Sequence, residues 1–251
     1  MSNPNYKEHP FIGAGKLFIN TRQVGNCSDV KLSYNVEQKS LPNNMGGGGN
    51  LDSTDRISSV KLDLTCTNFS PENLAIALAA SLDSITTAAE VTGEKLMMAA
   101  HSFVDTEFMI DMTKANLVEV KTTGGTPKVI PPLDVDGKEN YVVTPAGIYF
   151  KDGKDVTDAE VAVKYTKSLQ VILQALMATG REFKLVMDGI NDANGDPLIL
   201  RVWRWKPAPT DGIGLISDDY GNFTMKGEVL ADVSRPAGKS RFFEMIHKKA
   251  A

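Results

Sequence analysis

Apolar and polar residues alternate through residues 60–67, VKLDLTCT, so Val60, Leu62, Leu64 and Cys66 share one face of an extended chain. Lys61, Asp63, Thr65 and Thr67 share the other, and the apolar set is expected to face a core. Residues 161–166, 184–187, 198–206 and 223–232 carry the same strand signature. Asp152-Gly153 and Asn194-Gly195 are hairpin-turn dipeptides between such runs. The pattern predicts a mainly antiparallel β domain.

One helix is marked at its start. Ser70 suits the N-cap, Pro71 the first helical position, and Glu72 the positive helix end. Leu74, Leu78 and Leu82 follow at four-residue spacing on one face, and Ile76, Ala79 and Ala80 make the opposite side weakly apolar. A short helix that is apolar nearly all round is expected to be deeply buried or sandwiched at a subunit contact. Residues 168–180 mix two signals. Val171-Ile172-Leu173 favours a strand, and residues 174–178 favour a helical turn closed by Gly180.

The conspicuous irregular segment is residues 38–56, QKSLPNNMGGGGNLDSTDR. Its four consecutive glycines, Gly46 to Gly49, fit no packed element without a high entropic cost. It separates strand-like residues 29–36 from 57–66 and reads as a long loop at the tip of a hairpin. The two ends of the chain read as arms. Residues 1–12 are polar, with Pro4 and Pro10. Residues 234–251 combine Arg235, Lys239, Arg241, Lys248 and Lys249 with Phe242, Phe243, Met245 and Ile246. Such a tail either packs on its own domain or reaches a neighbouring subunit. Between the arms, residues 13–233 are expected to form a single domain.

Composition narrows the class without naming a function. Lys plus Arg is 27 and Asp plus Glu is 31, so the formal charge is 27 − 31 = −4. This argues against a surface that grips nucleic acid throughout. With 42% hydrophobic and 23% charged residues, the chain has globular usage. No apolar run approaches the roughly 18–20 residues that span a bilayer, and residues 1–16 lack a leader-like apolar stretch, so synthesis in the cytoplasm is expected. Cys27 and Cys66 each lie in a strand-like run, which favours two buried free thiols over a bridge or a metal site.

The search for chemistry yields no assignable site. Gly13-Ala14-Gly15-Lys16 resembles the end of a phosphate loop, but Pro10 replaces the required leading glycine and Leu17 the Ser or Thr after the lysine. Residues 188–196, DGINDANGD, suggest a calcium loop, but alignment on Gly195 puts Ile190 and Arg201 at ligand positions, so an acidic hairpin turn is expected. Asp134-Val135-Asp136-Gly137 is similarly incomplete. His9, His101 and His247 lack metal-binding companions. No catalytic residue, cofactor or metal is assigned, and the chain is read as a non-enzyme, although a fold-assembled triad needs no local motif. Trp203 and Trp205, as i and i+2, are expected on one face, either as a core aromatic pair or as a ligand-stacking platform.

Several segments together resemble the major tail tube proteins of long-tailed bacteriophages. They are Gly13-x-Gly15-Lys16-Leu17, then Val24-Gly25-Asn26 leading into the long loop, then Asn73-Leu74-Ala75-x-Ala77-Leu78 and Val91-Thr92-Gly93-Glu94-Lys95-Leu96. Tyr141-Val142-Val143 with residues 146–150 looks like the hairpin that follows. Residues 182–191 (EFKLVMDGIN) and 226–232 (KGEVLAD) are the most telling, and the likeness spans residues 11–246.

The resemblance implies a β-sandwich or barrel-like fold with one flanking helix, a long stacking loop and extended terminal arms. It implies a virion protein that forms hexameric rings, stacked into a tube through which genomic DNA passes without sequence-specific binding. Assembly in the host cytoplasm is implied, with tape measure, tail terminator and baseplate or tip proteins as further partners and no membrane binding by the subunit. Ring stacking is assigned to Leu41, Asn43, Asn44, Met45, Asn50, Asp52, Asp55 and Arg56 of the loop. The C-terminal arm would contribute through Arg241, Phe242, Phe243 and Ile246. The alternatives are a soluble β-sandwich ligand-binding module carrying the Trp203–Trp205 platform, and an enzyme with a fold-assembled site.

Overall fold

The computed structural model describes residues 10–248. It is mainly β, with several antiparallel sheets and one α-helix. The chain divides into two compact units, Met1–Leu82 with Leu173–Ala251, and Asp83–Ile172. Each has a buried apolar cluster of its own. The single domain expected over residues 13–233 thus resolves into two units, the second a continuous insertion that closes its own core. The expected N-terminal arm falls largely on residues 1–9, outside the described residues.

The first unit opens with β1 (Gly13–Ile19), β2 (Arg22–Gly25), β3 (Cys27–Pro42), β4 (Asn50–Cys66), α1 (Pro71–Ala77) and β5 (Ser81–Ile85). The second supplies β6 (Glu90–Met98), β7 (Phe103–Asp105), a 3-10 turn (Met112–Leu117), β8 (Glu119–Thr122) and β9 (Val129–Ile130). It continues with β10 (Tyr141–Thr144), β11 (Gly147–Phe150), β12 (Ala159–Thr166) and β13 (Gln170–Gln174). The first unit then ends with β14 (Phe183–Asn191), β15 (Asp196–Pro207), β16 (Phe223–Val229) and β17 (Phe243–His247).

The sheet of the first unit runs β2-β1-β14-β15-β16-β4-β3, with β17 also on β15. β15 changes partners along its length: residues 198–202 pair with β17 and residues 205–207 with β16. Leu17 and Ile19 of β1 join Leu62 and Leu64 of β4 in one buried cluster, although their strands lie toward opposite ends of that order. The sheet therefore curls over its own inner face. The alternation of residues 60–67 is met: Val60, Leu62, Leu64 and Cys66 are buried, and their neighbours are not. Each fully buried Leu stabilises the fold by about 1.5–3 kcal/mol before entropy.

The helix starts as expected and stops early. The Ser70 hydroxyl accepts the Asn73 N–H at 3.3 Å. Leu78 is already the C-cap, and Leu82 lies in β5, so the expected Leu74–Leu78–Leu82 face is corrected. The physical cause is Ala79, which takes a left-handed φ of 47° and lets the Ala80 N–H reach Ala75 O at 2.8 Å, closing the last turn. Asn73 is fully buried inside this turn. Its Nδ2 donates to Val24 O at 2.7 Å and Asn68 O at 2.9 Å, and its Oδ1 accepts Arg22 Nη2 at 2.6 Å. The mixed segment 168–180 becomes strand β13 followed by a turn at Leu176, whose φ is 62°.

The second unit holds two sheets, β6-β12-β8-β9 and β10-β11-β7, around Phe150, Tyr165, Ile148, Val161 and Val163. β10 and β11 form a hairpin that turns at Pro145-Ala146. Asp152-Gly153, expected as a hairpin turn, instead lies between strands of different sheets. Gly153 is required there because a Cβ would meet the Asn140 side chain and, at 3.0 Å, its Cα. By contrast, the turn after Asn191 does close the β14–β15 hairpin, and Gly195 takes a φ of 75°.

Candidate functional site

β3 and β4 form one long hairpin, and the core stops well short of its end. From Tyr34 to Pro42 on β3, and from Asn50 to Ser58 on β4, every residue is exposed on either face. The strands are 16 and 17 residues long, about 50 Å of extended chain at roughly 3.3 Å per residue. The long loop expected over residues 38–56 is corrected: it is a paired ladder, with Gln38 opposite Asp55, Lys39 opposite Thr54 and Leu41 opposite Asp52. Only residues 43–49 turn. All four glycines have positive φ, between 72° and 104°, so the irregularity is concentrated at the tip.

Asn43 closes that tip. Its N–H reaches Gly49 O at 3.0 Å, its Nδ2 donates to Gly46 O at 2.7 Å, and its Oδ1 accepts the Met45 N–H at 3.0 Å. Asn44 and Met45 stand free in the turn, Met45 being 83% exposed. Asn50 is paired opposite Pro42, and Asp52, Asp55 and Arg56 project from β4. The fold thus brings all eight loop residues named from the sequence onto the outer part of one hairpin.

Sequence reasoning missed the apolar shaft below the tip. Tyr34, Val36, Leu51 and Ile57 are all exposed, and Val36 faces Ile57 across the ladder. This ladder outruns the core, so its apolar side chains find nothing to pack on among the described residues. The loop between β15 and β16 is a second missed feature: Ile216 and Tyr220 are almost fully exposed there. A two-stranded ribbon with both faces in water is marginal by itself, and clustered exposed apolar side chains mark contact surfaces. β3 is also terminal in the strand order, so its outer edge offers a row of open N–H and C=O groups.

The C-terminal segment is docked on its own unit. β17 pairs with β15, Phe243 opposite Val202 and Ile246 opposite Ile199, and Phe242 and Phe243 pack against the buried cluster. Of the four arm residues assigned to assembly, Arg241 and Ile246 are exposed and the two phenylalanines are half-buried. The extended arm expected over residues 234–251 is corrected, within the described residues, to a loop and a sheet strand, because the β15 edge offers backbone partners that the sequence pattern does not reveal.

The tryptophan pair is also corrected. A register shift in β15 opposite residues 183–185 puts both Trp203 and Arg204 outside, while Trp205 turns inward and is 0% exposed. Trp205 Nε1 donates to Leu62 O at 3.1 Å. Trp203 is half-buried and covered by the Arg235 guanidinium, 3.9 Å from its ring centroid. The two indoles form neither a common platform nor a core pair.

The acidic loops have backbone duties. Asp134 accepts the N–H groups of Asp136, Lys138 and Lys154 at 2.8, 2.9 and 3.1 Å. These amides, that of Lys154 foremost, hold its carboxyl below the ordinary carboxylate value. Among the described residues, no group of three or more His, Cys, Asp or Glu side chains is placed to hold a metal ion. No described helix is long and apolar enough to cross a membrane.

Residues 10–246 match the model of a family described as "Protein of unknown function UCP028589". No curated protein matches the chain.

Proposed function

Since the chain belongs to that uncharacterised family, we propose from its own residues that it is a structural subunit of a bacteriophage tail tube. Six copies associate into a ring, and rings stack into the conduit for genome ejection. The carrying observation is the β3–β4 hairpin, whose outer part has an apolar shaft and no packing partner within the described residues. A copy of the same chain supplies the missing surface in a head-to-tail contact, which can close into a ring or continue as a tube. The tail tube variety of β fold, the virion location, and the tape measure, terminator and baseplate partners belong to this proposal. They rest on the resemblance of residues 11–246.

Two further features support the reading. The open edge of β3 gains a ladder partner when subunits join. The formal charge of −4 suits a wall that lets DNA pass better than one that holds it. The ligand-module alternative has lost the paired indoles on which it stood. Negative-stain microscopy of concentrated protein tests the proposal: rings or tubes are expected, and particles that remain monomeric at every concentration and salt would overturn it. Deleting residues 45–50 is expected to leave a folded monomer that no longer polymerises, and tubes of normal length from that variant would remove the hairpin from the interface.

A further inference from the structure

Cys27 opens β3, Cys66 closes β4, and the two are direct cross-strand partners. Both are free, with Sγ atoms 2.7 Å apart. Opposed residues of antiparallel strands have Cα atoms about 4.5–5.5 Å apart, within the span that a disulfide bridges without moving the backbone. Two buried free thiols are expected from the sequence, and both are free, Cys66 buried and Cys27 half-buried. The structure adds that they are in contact, with different access. Cys66 is fully buried opposite Phe223 of β16. Cys27 is half-buried and lines a cleft of about 360 Å³, walled also by Phe11, Leu17, Met187 and Met245.

We propose that Cys27 and Cys66 are a redox site, a dithiol that a low-molecular-weight disulfide of the glutathione class converts into a cross-strand disulfide at the root of the projecting hairpin. This inference does not depend on the assembly reading. Cys27 is the entry point because the cleft reaches it and not Cys66. The hydrogen bond from the Cys66 thiol holds Cys27 below the ordinary thiol value, whereas the same bond and burial push Cys66 up.

In the first step the Cys27 thiolate attacks one sulfur of the small disulfide, forming a mixed disulfide and releasing one small thiolate. In the second, Cys66 gives up its proton and its sulfur attacks Cys27 Sγ, expelling the second small thiolate. Two protein thiols and one disulfide become one protein disulfide and two small thiols, a transfer of two electrons. A reducing thiol pool keeps the site open, and an oxidising medium closes it. Once closed, the bond pins the register of β3 against β4 at the end of the ladder farthest from its tip.

The test uses the full-length protein in its native state with oxidised glutathione, followed by denaturing alkylation, intact mass and peptide mapping. The expected product has lost two hydrogens, carries no alkyl group, links the Cys27 and Cys66 peptides, and reverts with dithiothreitol. Two alkylated cysteines, a mixed disulfide that persists at Cys27, or a bridge between two chains would each overturn the proposal. Cys66→Ala is expected to stop at the mixed disulfide on Cys27, and Cys27→Ser to leave Cys66 unreacted. A Cys66 that reacts as fast without Cys27 would refute the order of attack. Should either variant fail to fold, the wild-type mass decides alone.

Discussion

The indole of Trp205 lies against the bare backbone of Gly227. A Cβ on Gly227 would meet the indole nitrogen, and it would also lie 2.8 Å from both Lys206 O and Pro207 Cα. The glycine is therefore the counterpart of the largest buried side chain in the first unit. Gly227→Ala is expected to destabilise that unit by about 1–3 kcal/mol through overpacking. Urea unfolding followed by Trp fluorescence measures it, and an unchanged midpoint would show that the strands separate freely.

The two tryptophans are expected to differ sharply. Trp205→Ala removes a fully buried indole and its bond to Leu62 O, at a cost of about 3–5 kcal/mol. Trp203→Ala gives up packing and the Arg235 contact, a cation–π interaction of about 0.5–1 kcal/mol at such exposure. Parallel thermal and chemical melts compare them, and equal losses would contradict the bulge that separates their faces.

On the hairpin shaft, Val36→Ser combined with Ile57→Ser is expected to leave monomer stability within about 0.5 kcal/mol, since both positions are already in water. The same pair is expected to abolish self-association in sedimentation velocity. Association at wild-type strength would place the contact elsewhere, with the loop carrying Ile216 and Tyr220 the next surface to test.

Asn73→Ala strips a buried hub. Val24 O and Asn68 O lose their donor, and the Arg22 guanidinium loses an acceptor. Unsatisfied buried groups cost about 1–3 kcal/mol each. A loss in that range, read from denaturant midpoints, is expected even though the substitution favours helix by propensity.

Asp134 links the second unit to pH. Its folded pKa is depressed, so its contribution is present above the unfolded value of about 4 and is lost as pH falls through the folded value. Asp134→Asn is therefore expected to melt below wild type at neutral pH, with the gap closing in acid. A gap that stays constant from neutral to acid would mean that the three amides do not favour the charged form.

The strands around residues 60–67, 161–166, 184–187 and 223–229 were legible because their period of two coincides with real burial. The helix start at Ser70 was legible because capping is local, and its end was not, because the left-handed turn at Ala79 carries no glycine to announce it. The outer hairpin and the tail were misread for different reasons. Residues 38–42 and 50–56 continue the β3–β4 ladder beyond the core although nothing buries them, and the tail becomes a strand because its backbone pairs with β15, far away in the chain.

The order of apolar and polar residues alone determined that this chain is mainly antiparallel β, with a helix capped at Ser70 and a glycine run at the tip of a hairpin. Those features depend on contacts a few residues apart. Tertiary structure decided that residues 83–172 close a separate core, that Trp205 is buried while Trp203 is not, and that Cys27 meets Cys66. Each depends on register between strands far apart in the chain, and a shift of one residue in that register exchanges the inner face for the outer.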